Sequence, residues 1–196
     1  AEDGIRDVER SRGLGDVYKR QVLIITKSDL VARDADILKE MKASVSITIT
    51  TLEAKKAKLI EPNAPPPEKR IKALEILHEE NIPCSIRLDP IIPGINDEEL
   101  EEIIDTVAPY VKHVVTSTIK PRNDSMKRLR KVMDIDSFKW ERKGNSFYLP
   151  REQRFNYLRR VEKACNKYGI SFAACREGYK FKAESCDGSH LIFHSS

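Results

Sequence analysis

Cysteine is scarce in this chain: four among 196 residues, at positions 84, 165, 175 and 186. That irregular spacing excludes the dense disulfide framework of a small secreted domain. No apolar run approaches the roughly 18 residues that span a bilayer, and no secretory h-region follows residue 1. The expectation is a cytoplasmic protein with no membrane contact. Eight glycines and ten prolines are too few for a low-complexity chain, and a 40% hydrophobic fraction is too high for a disordered one. An excess of one charge sign is also missing. Thirty-five basic residues against 31 acidic ones leave +4, a weak pointer to any partner. The length fits one domain of roughly 100–200 residues.

Residues 1–21 (AEDGIRDVERSRGLGDVYKRQ) stand apart from the rest. Five basic residues match five acidic ones, and the large apolar residues keep no helical or strand period. The segment ends at Val22, where a strand begins without a turn or cap. It resembles the translated adapter sequence found at the ends of assembled sequence fragments, which carries no fold information. The expected division is a non-native or disordered leader over 1–21, then residues 22–196 as the C-terminal portion of a larger unit with a C-terminal extension. A protein truncated at Val22 would begin in mid-fold.

From Val22 onward, strand and helix alternate. VLIITKS (22–28) is an apolar run ending in polar residues, as in a buried parallel strand. Asp34 caps a short helix carrying Ile37, Leu38 and Met41. SVSITITT (44–51) is β-branched and alternating, a second strand. A proline-rich loop follows. A helix begins near Pro67 with Ile71, Leu74 and Leu77 on its apolar face. CSIRLDP (84–90) is the third strand. Asn96 or Asp97 caps a helix whose Leu100, Ile103, Ile104 and Val107 repeat at i, i+3, i+4, i+7. KHVVTSTIK (112–120) is the fourth strand. A helix over about 150–167 carries Phe155, Leu158, Val161 and Cys165, and Gly169 ends it. A short fifth strand covers 170–174. The expected class is α/β, a partial (β/α) TIM-like barrel with parallel strands joined by right-handed crossovers.

In such folds ligands sit at the carboxyl ends of the strands. Lys27, Ser46, Thr48, Arg87 and Asp89 are the polar residues there, and together they suit a ligand with carboxylate, amine and hydroxyl groups. Arg87 and Asp89, two apart on one strand face, equally fit a buried structural ion pair.

Several segments carry a family resemblance, in this order: the TKS strand, the V-S-I-T strand, the EPNAPPPEKR segment from Glu61 to Arg70, and the DPIIPGIND turn. Over about residues 22–119 the chain resembles radical SAM enzymes of the spore photoproduct lyase-like group. The resemblance implies the later part of a radical SAM core that uses S-adenosylmethionine (AdoMet) and a [4Fe–4S] cluster. Such enzymes cleave AdoMet to a 5′-deoxyadenosyl radical that abstracts hydrogen. It also implies a flavodoxin- or ferredoxin-like reductant and possible lyase or repair chemistry on nucleic acid. Carried over residue by residue, Lys27 and Ser46 match positions that contact AdoMet, Asp89 lies at the strand end beside the adenosyl group, and Thr48 and Arg87 are further candidates. The family's cluster motif, C-x3-C-x2-C, is absent from these 196 residues. No metal ligands are therefore assigned, and the chain alone is expected to hold no cluster and to be inactive.

Two further segments offer other readings. Residues 112–143 hold ten Lys or Arg against four acids, with Phe138, Trp140, Phe147 and Tyr148 in or near them. That pattern suits either a cofactor-free nucleic-acid-binding module or a solvated helix face with Met126, Leu129 and Val132 packed inward. Cys175, Cys186 and His190 lack a standard zinc spacing and read as a packed, reduced pair near the substrate mouth. A non-radical (β/α)-barrel enzyme is the other alternative, but the glycine-rich phosphate loop it predicts is missing.

Overall fold

The computed structural model describes residues 21–131 and 133–193. The expected leader lies outside them, except Gln21. That residue opens the first strand, because its backbone continues the ladder one residue beyond the expected start.

The chain order is β1 (Gln21–Thr26), a 3₁₀ turn (Asp29–Asp34), α1 (Ala35–Leu38), β2 (Lys42–Thr48), α2 (Ala54–Ile60), α3 (Pro67–Glu79) and β3 (Cys84–Ile91). Then come α4 (Leu100–Val107), β4 (His113–Thr118), α5 (Asn123–Leu129), the hairpin strands β5 (Glu141–Lys143) and β6 (Ser146–Tyr148), α6 (Arg151–Lys167) and β7 (Ser171–Ala174). The main sheet has the order β1-β2-β3-β4-β7, and every pairing in it is parallel. This is the expected partial (β/α) barrel.

The strands alternate in direction of side chain, so each face has its own chemistry. Val45, Ile47, Ile49, Ile86, Leu88, Val114 and Phe172 point to the helices and form the core with Leu74, Leu77, Ile103 and Ile104. All four predicted apolar residues of α4 are fully buried. Each such side chain contributes about 1.5–3 kcal/mol relative to exposure. A smaller core of Ile92, Ile119 and Leu149 lies under the 119–149 segment, with Leu129, Phe138 and Trp140 packed on it.

Three local expectations are corrected, and one of two open readings is decided. α2 occupies the stretch after β2 where the sequence predicts a loop; only its Ala57 is buried, so it has no apolar stripe to detect. Asp34 makes no capping bond, because its carboxylate is taken by Arg33 at 2.9 Å. The helix α4 begins after Glu99, and neither Asn96 nor Asp97 caps it. Asn96 instead pins the turn before it: its Oδ1 accepts from Ile92 N at 2.7 Å, and its Nδ2 donates to the Thr50 and Pro90 carbonyls. Finally, Phe138 and Trp140 turn into the small core, and the Trp140 indole donates to the Ile135 carbonyl at 2.8 Å.

Candidate functional site

The face of the sheet opposite the helices is polar, and the register arranges it in rows. Ser46, Ser85, His113 and Ser171 are neighbours across β2, β3, β4 and β7. Two residues further along the strands, Thr48 lies beside Arg87. Asp89 follows at the end of β3. Successive rows are separated by about 6–7 Å along the strand.

All five predicted site residues are therefore near one face, but at different depths. Arg87 Nη2 donates to Asp89 Oδ2 at 3.1 Å, the ion pair that their spacing also allowed, here half-buried rather than buried. The other Asp89 oxygen accepts from Ser117 Oγ at 2.5 Å. Ser117 was not predicted, although its place in the T-S-T run of β4 puts it on this face. Ser46 is fully buried, and its Oγ has no hydrogen-bond partner among the described residues. Thr48 is buried, and its carbonyl accepts from Arg70. Lys27 stands apart at the rim, tied to Glu61 at 2.7 Å.

Glu61 explains the EPNAPPPEKR segment. Its carboxylate is buried between Lys27 and Arg70, with Arg70 Nη1 at 2.6 Å. Arg70 also donates to the Pro65 and Thr48 carbonyls, so it fastens the proline loop to the end of β2. Its Nη2 is buried without a partner among the described residues.

A second triad of the same kind stands at the end of β4. Glu177 accepts from Lys120 Nζ and Arg154 Nη1, each at 2.7 Å, and from Thr118 N and Oγ1. Burial works to raise the Glu177 pKa, but the bonds and charges of Lys120 and Arg154 outweigh it and hold the carboxyl below its ordinary value. Glu177 lies in the tail, where no pattern in the sequence flags it.

Between the two triads lies a pocket of about 440 Å³ at the carboxyl ends of the strands. Lys27, Glu61 and Lys120 line it together with Ile60, Ile92, Ile119 and Arg128. The strand beginnings are closed instead. The tail crosses them with Gly188 beside Ser85 and His113, and His190 meets His113 edge-on at 5.0 Å. Burial, with the nearby His190, depresses His113 to about 4.

The cysteines do not form a cluster site. Cys84 and Cys165 sit in the helix-side core, and burial pushes each thiol up to about 12. Cys175 is half-buried after β7 and Cys186 is exposed; all four are free thiols among the described residues. Cys186 belongs to the tail at the strand beginnings, whereas Cys175 N bonds Thr116 O toward the strand ends, so the expected pair at the mouth is not formed. Among the described residues, no group of three His, Cys, Asp or Glu is placed to hold a metal ion. The [4Fe–4S] cluster thus does not fit the thiols present. The donor set on this face, with Lys27 at the rim, Thr48 and Arg87 in one row and Asp89 beyond them, has the chemistry to meet carboxylate, amine and hydroxyl groups such as those of AdoMet.

A parallel (β/α) sheet with a polar concave face and an open pocket at the strand ends defines a partial-barrel enzyme core. The family model described as the radical SAM superfamily matches residues 3–107, so the chain belongs to that superfamily. An uncharacterized protein of Methanocaldococcus jannaschii is 42% identical over 99 residues, covering 50% of this chain and 38% of that protein. An uncharacterized protein of Acidianus two-tailed virus is 34% identical over 128 residues, covering 61% and 40%. The chain thus spans well under half the length of these relatives. Spore photoproduct lyase complexed with dinucleoside spore photoproduct superposes with a TM-score of 0.60 at 13% identity, over 78% of this chain and 50% of that one. A mutant of that lyase with bound AdoMet and dinucleoside spore photoproduct gives 0.57 at 14% identity. These likenesses show a shared fold. No helix among the described residues is long and apolar enough to cross a membrane.

Proposed function

We propose that this chain forms the AdoMet-binding part of a radical SAM enzyme acting on a nucleic acid. The observation that carries the reading is the polar face of the sheet, where Thr48 and Arg87 share a row, Asp89 follows and Ser46 lies buried behind them, beside a pocket at the strand ends lined by Lys27. AdoMet bound beside a reduced [4Fe–4S] cluster supplies radical chemistry in this superfamily; the cluster needs thiolates other than the four present. In this reading the Lys27 ammonium pairs with the AdoMet carboxylate. Ser46 and Thr48 offer hydroxyls to its polar groups. Asp89, oriented by Arg87 and Ser117, accepts from hydroxyl donors at the adenosyl end. The walls exclude water from the reacting groups. A flavodoxin- or ferredoxin-like protein is the proposed reductant. The nucleic-acid assignment is supported by the lyase solved with a dinucleoside.

The basic segment does not support a cofactor-free nucleic-acid module. Three of its cations are paired with Asp124, Asp136 and Glu141, and Phe138 and Trp140 are packed inward. Met126 is buried and Leu129 packs on the small core as the solvated-face reading expects; the Val132 side chain lies outside the described residues.

Calorimetric titration of the chain with AdoMet tests the proposal. Asp89→Ala is expected to weaken binding by roughly 10- to 100-fold, the worth of a hydrogen bond to a charged group. AdoMet affinity indifferent to both Asp89→Ala and Ser46→Ala would overturn the reading.

A further inference from the structure

The two triads share one arrangement. In each, a buried glutamate bridges an arginine sealed in the protein and a lysine at the pocket wall. The side chains of Arg70 and Arg154 are 1% and 2% exposed, and those of Glu61 and Glu177 are 5% and 0% exposed. Two cations share one carboxylate in each triad, which leaves one positive charge in excess. Lys27 carries its excess on a half-exposed side chain, but Lys120 is largely buried, and excess charge in so desolvated a site is costly unless a counter-charge arrives. Both excesses face the same pocket, and Glu61 is the sole acidic residue among those lining it. A cleft with low-dielectric walls also focuses such a field on whatever enters it.

Lys120 is held by three acceptors, the last of them weakly. Its Nζ donates to Glu177 Oε1 at 2.7 Å and to the Cys175 carbonyl at 3.1 Å; the next acceptor, the Thr118 carbonyl, is at 3.4 Å. The side chain is 15% exposed, so the ammonium is held in place but still reachable from the pocket. A fixed, partly dry ammonium whose third N–H is only weakly engaged, at 3.4 Å, can exchange that contact for a charge-assisted bond with an oxyanion.

We infer that the pocket takes a substrate bearing an oxyanion, phosphoryl or carboxylate, which Lys120 anchors at the end of β4. The inference rests on the reading of this pocket as the substrate site beside AdoMet. It gives the two triads separate tasks: the Lys27 triad faces the cofactor's carboxylate, and the Lys120 triad faces the substrate's anion.

The test titrates the full chain with inorganic phosphate and, separately, with acetate. Binding of at least one is expected, weakened about tenfold or more by Lys120→Met and restored by Lys120→Arg. Preference for phosphate marks a phosphoryl-bearing substrate, and preference for acetate marks a carboxylate; either supports the site. No binding of either anion, or binding indifferent to Lys120→Met, overturns it. A wild-type crystal soaked in phosphate gives a second measurement independent of the variant's folding. Anion density beside Nζ of Lys120 is expected, and density confined to other places overturns the proposal. AdoMet titrated against the same wild-type chain separates the two readings. If AdoMet fails to bind while phosphate binds through Lys120, the cofactor reading falls alone. If AdoMet binds and the anions do not, this inference falls alone.

Discussion

Replacing Glu177 by alanine should destabilise the protein more than any surface change. Glu177 is the shared acceptor for the Thr118 amide and hydroxyl, the Lys120 ammonium and the Arg154 guanidinium. Its removal strands a sealed arginine and a buried backbone donor and opens a small void. Breaking a buried ion pair from one side costs about 3–5 kcal/mol. For a chain of this size that is a fall in Tm of roughly 6–20 °C. Thermal melting followed by circular dichroism, at pH 7 and moderate salt, reads the effect. The double variant Glu177→Leu with Arg154→Met should recover part of the loss, because the sealed guanidinium is then no longer left without a counter-charge, although Lys120 still is. The pH dependence has a definite sign. The Glu177 carboxyl titrates below its ordinary value in the folded state, so the unfolded chain binds its proton first as pH falls. Its stabilisation is fully present above the ordinary glutamate pKa and is lost as pH falls through the lower folded value. Glu177→Ala should therefore lose less stability than wild type between neutral pH and pH 3. A melting temperature within about 2 °C of wild type, less than 1 kcal/mol, would refute the assignment of this carboxylate as a structural bridge.

Other perturbations test separate parts of the structure. A Cβ at Gly188 would lie 3.1 Å from Ser85 Oγ and 3.2 Å from His113 Cδ2, at a φ of +84°, whereas one at Gly144 meets nothing within 4 Å at +59°. Gly188→Ala should thus lower Tm clearly more than Gly144→Ala in paired melting curves, and equal effects would remove the tail from its place over that row. His113, held to about 4 by burial, should stay neutral in an NMR titration down to pH 5. The unfolded chain protonates it first, so its contribution is present above the ordinary histidine value and is lost as pH falls toward 4; a midpoint near 6.5 would contradict the burial. Cys84 and Cys165, pushed up to about 12, should resist a thiol reagent at pH 8 until denaturant is added. Exposed Cys186 should react at once and half-buried Cys175 more slowly, so four equal rates would count against the fold.

Much of the sheet was legible because parallel strands buried on both sides declare themselves as β-branched runs. The 44–51 and 112–120 segments are of that kind, and α4 was legible from one strict apolar stripe. Site residues on strands were legible for the same reason: period two places Ser46 with Thr48 and Arg87 with Asp89. What stayed hidden was set by partners distant in sequence. Glu61 is a loop residue until Arg70 and Lys27 close on it, and Glu177 lies 57 residues from Lys120. Nothing within either local window distinguishes a buried bridging carboxylate from a solvated one. The proline segment was recognisable as a family feature, but its task of fastening β2 to the loop through Arg70 appears only with the backbone carbonyls in place.

The unequal treatment of the two ends of the sheet follows from the same chemistry. At the strand beginnings the polar row is satisfied partly within the protein: His113 Nδ1 and Ser171 Oγ are 2.8 Å apart, and His190 and Ser185 are 2.7 Å apart. The Gly188 backbone can approach closely there because no Cβ intervenes. At the strand ends, Glu61 and Glu177 are each shared between two cations, and Glu61 is the one acid among the residues lining the pocket. A sheet that ties its polar row into hydrogen bonds at one end and leaves positive excess at the other has a preferred end for an anionic ligand. That polarity is a property of the two bridging glutamates. Removing either one should change what the pocket attracts as well as how firmly its walls stand.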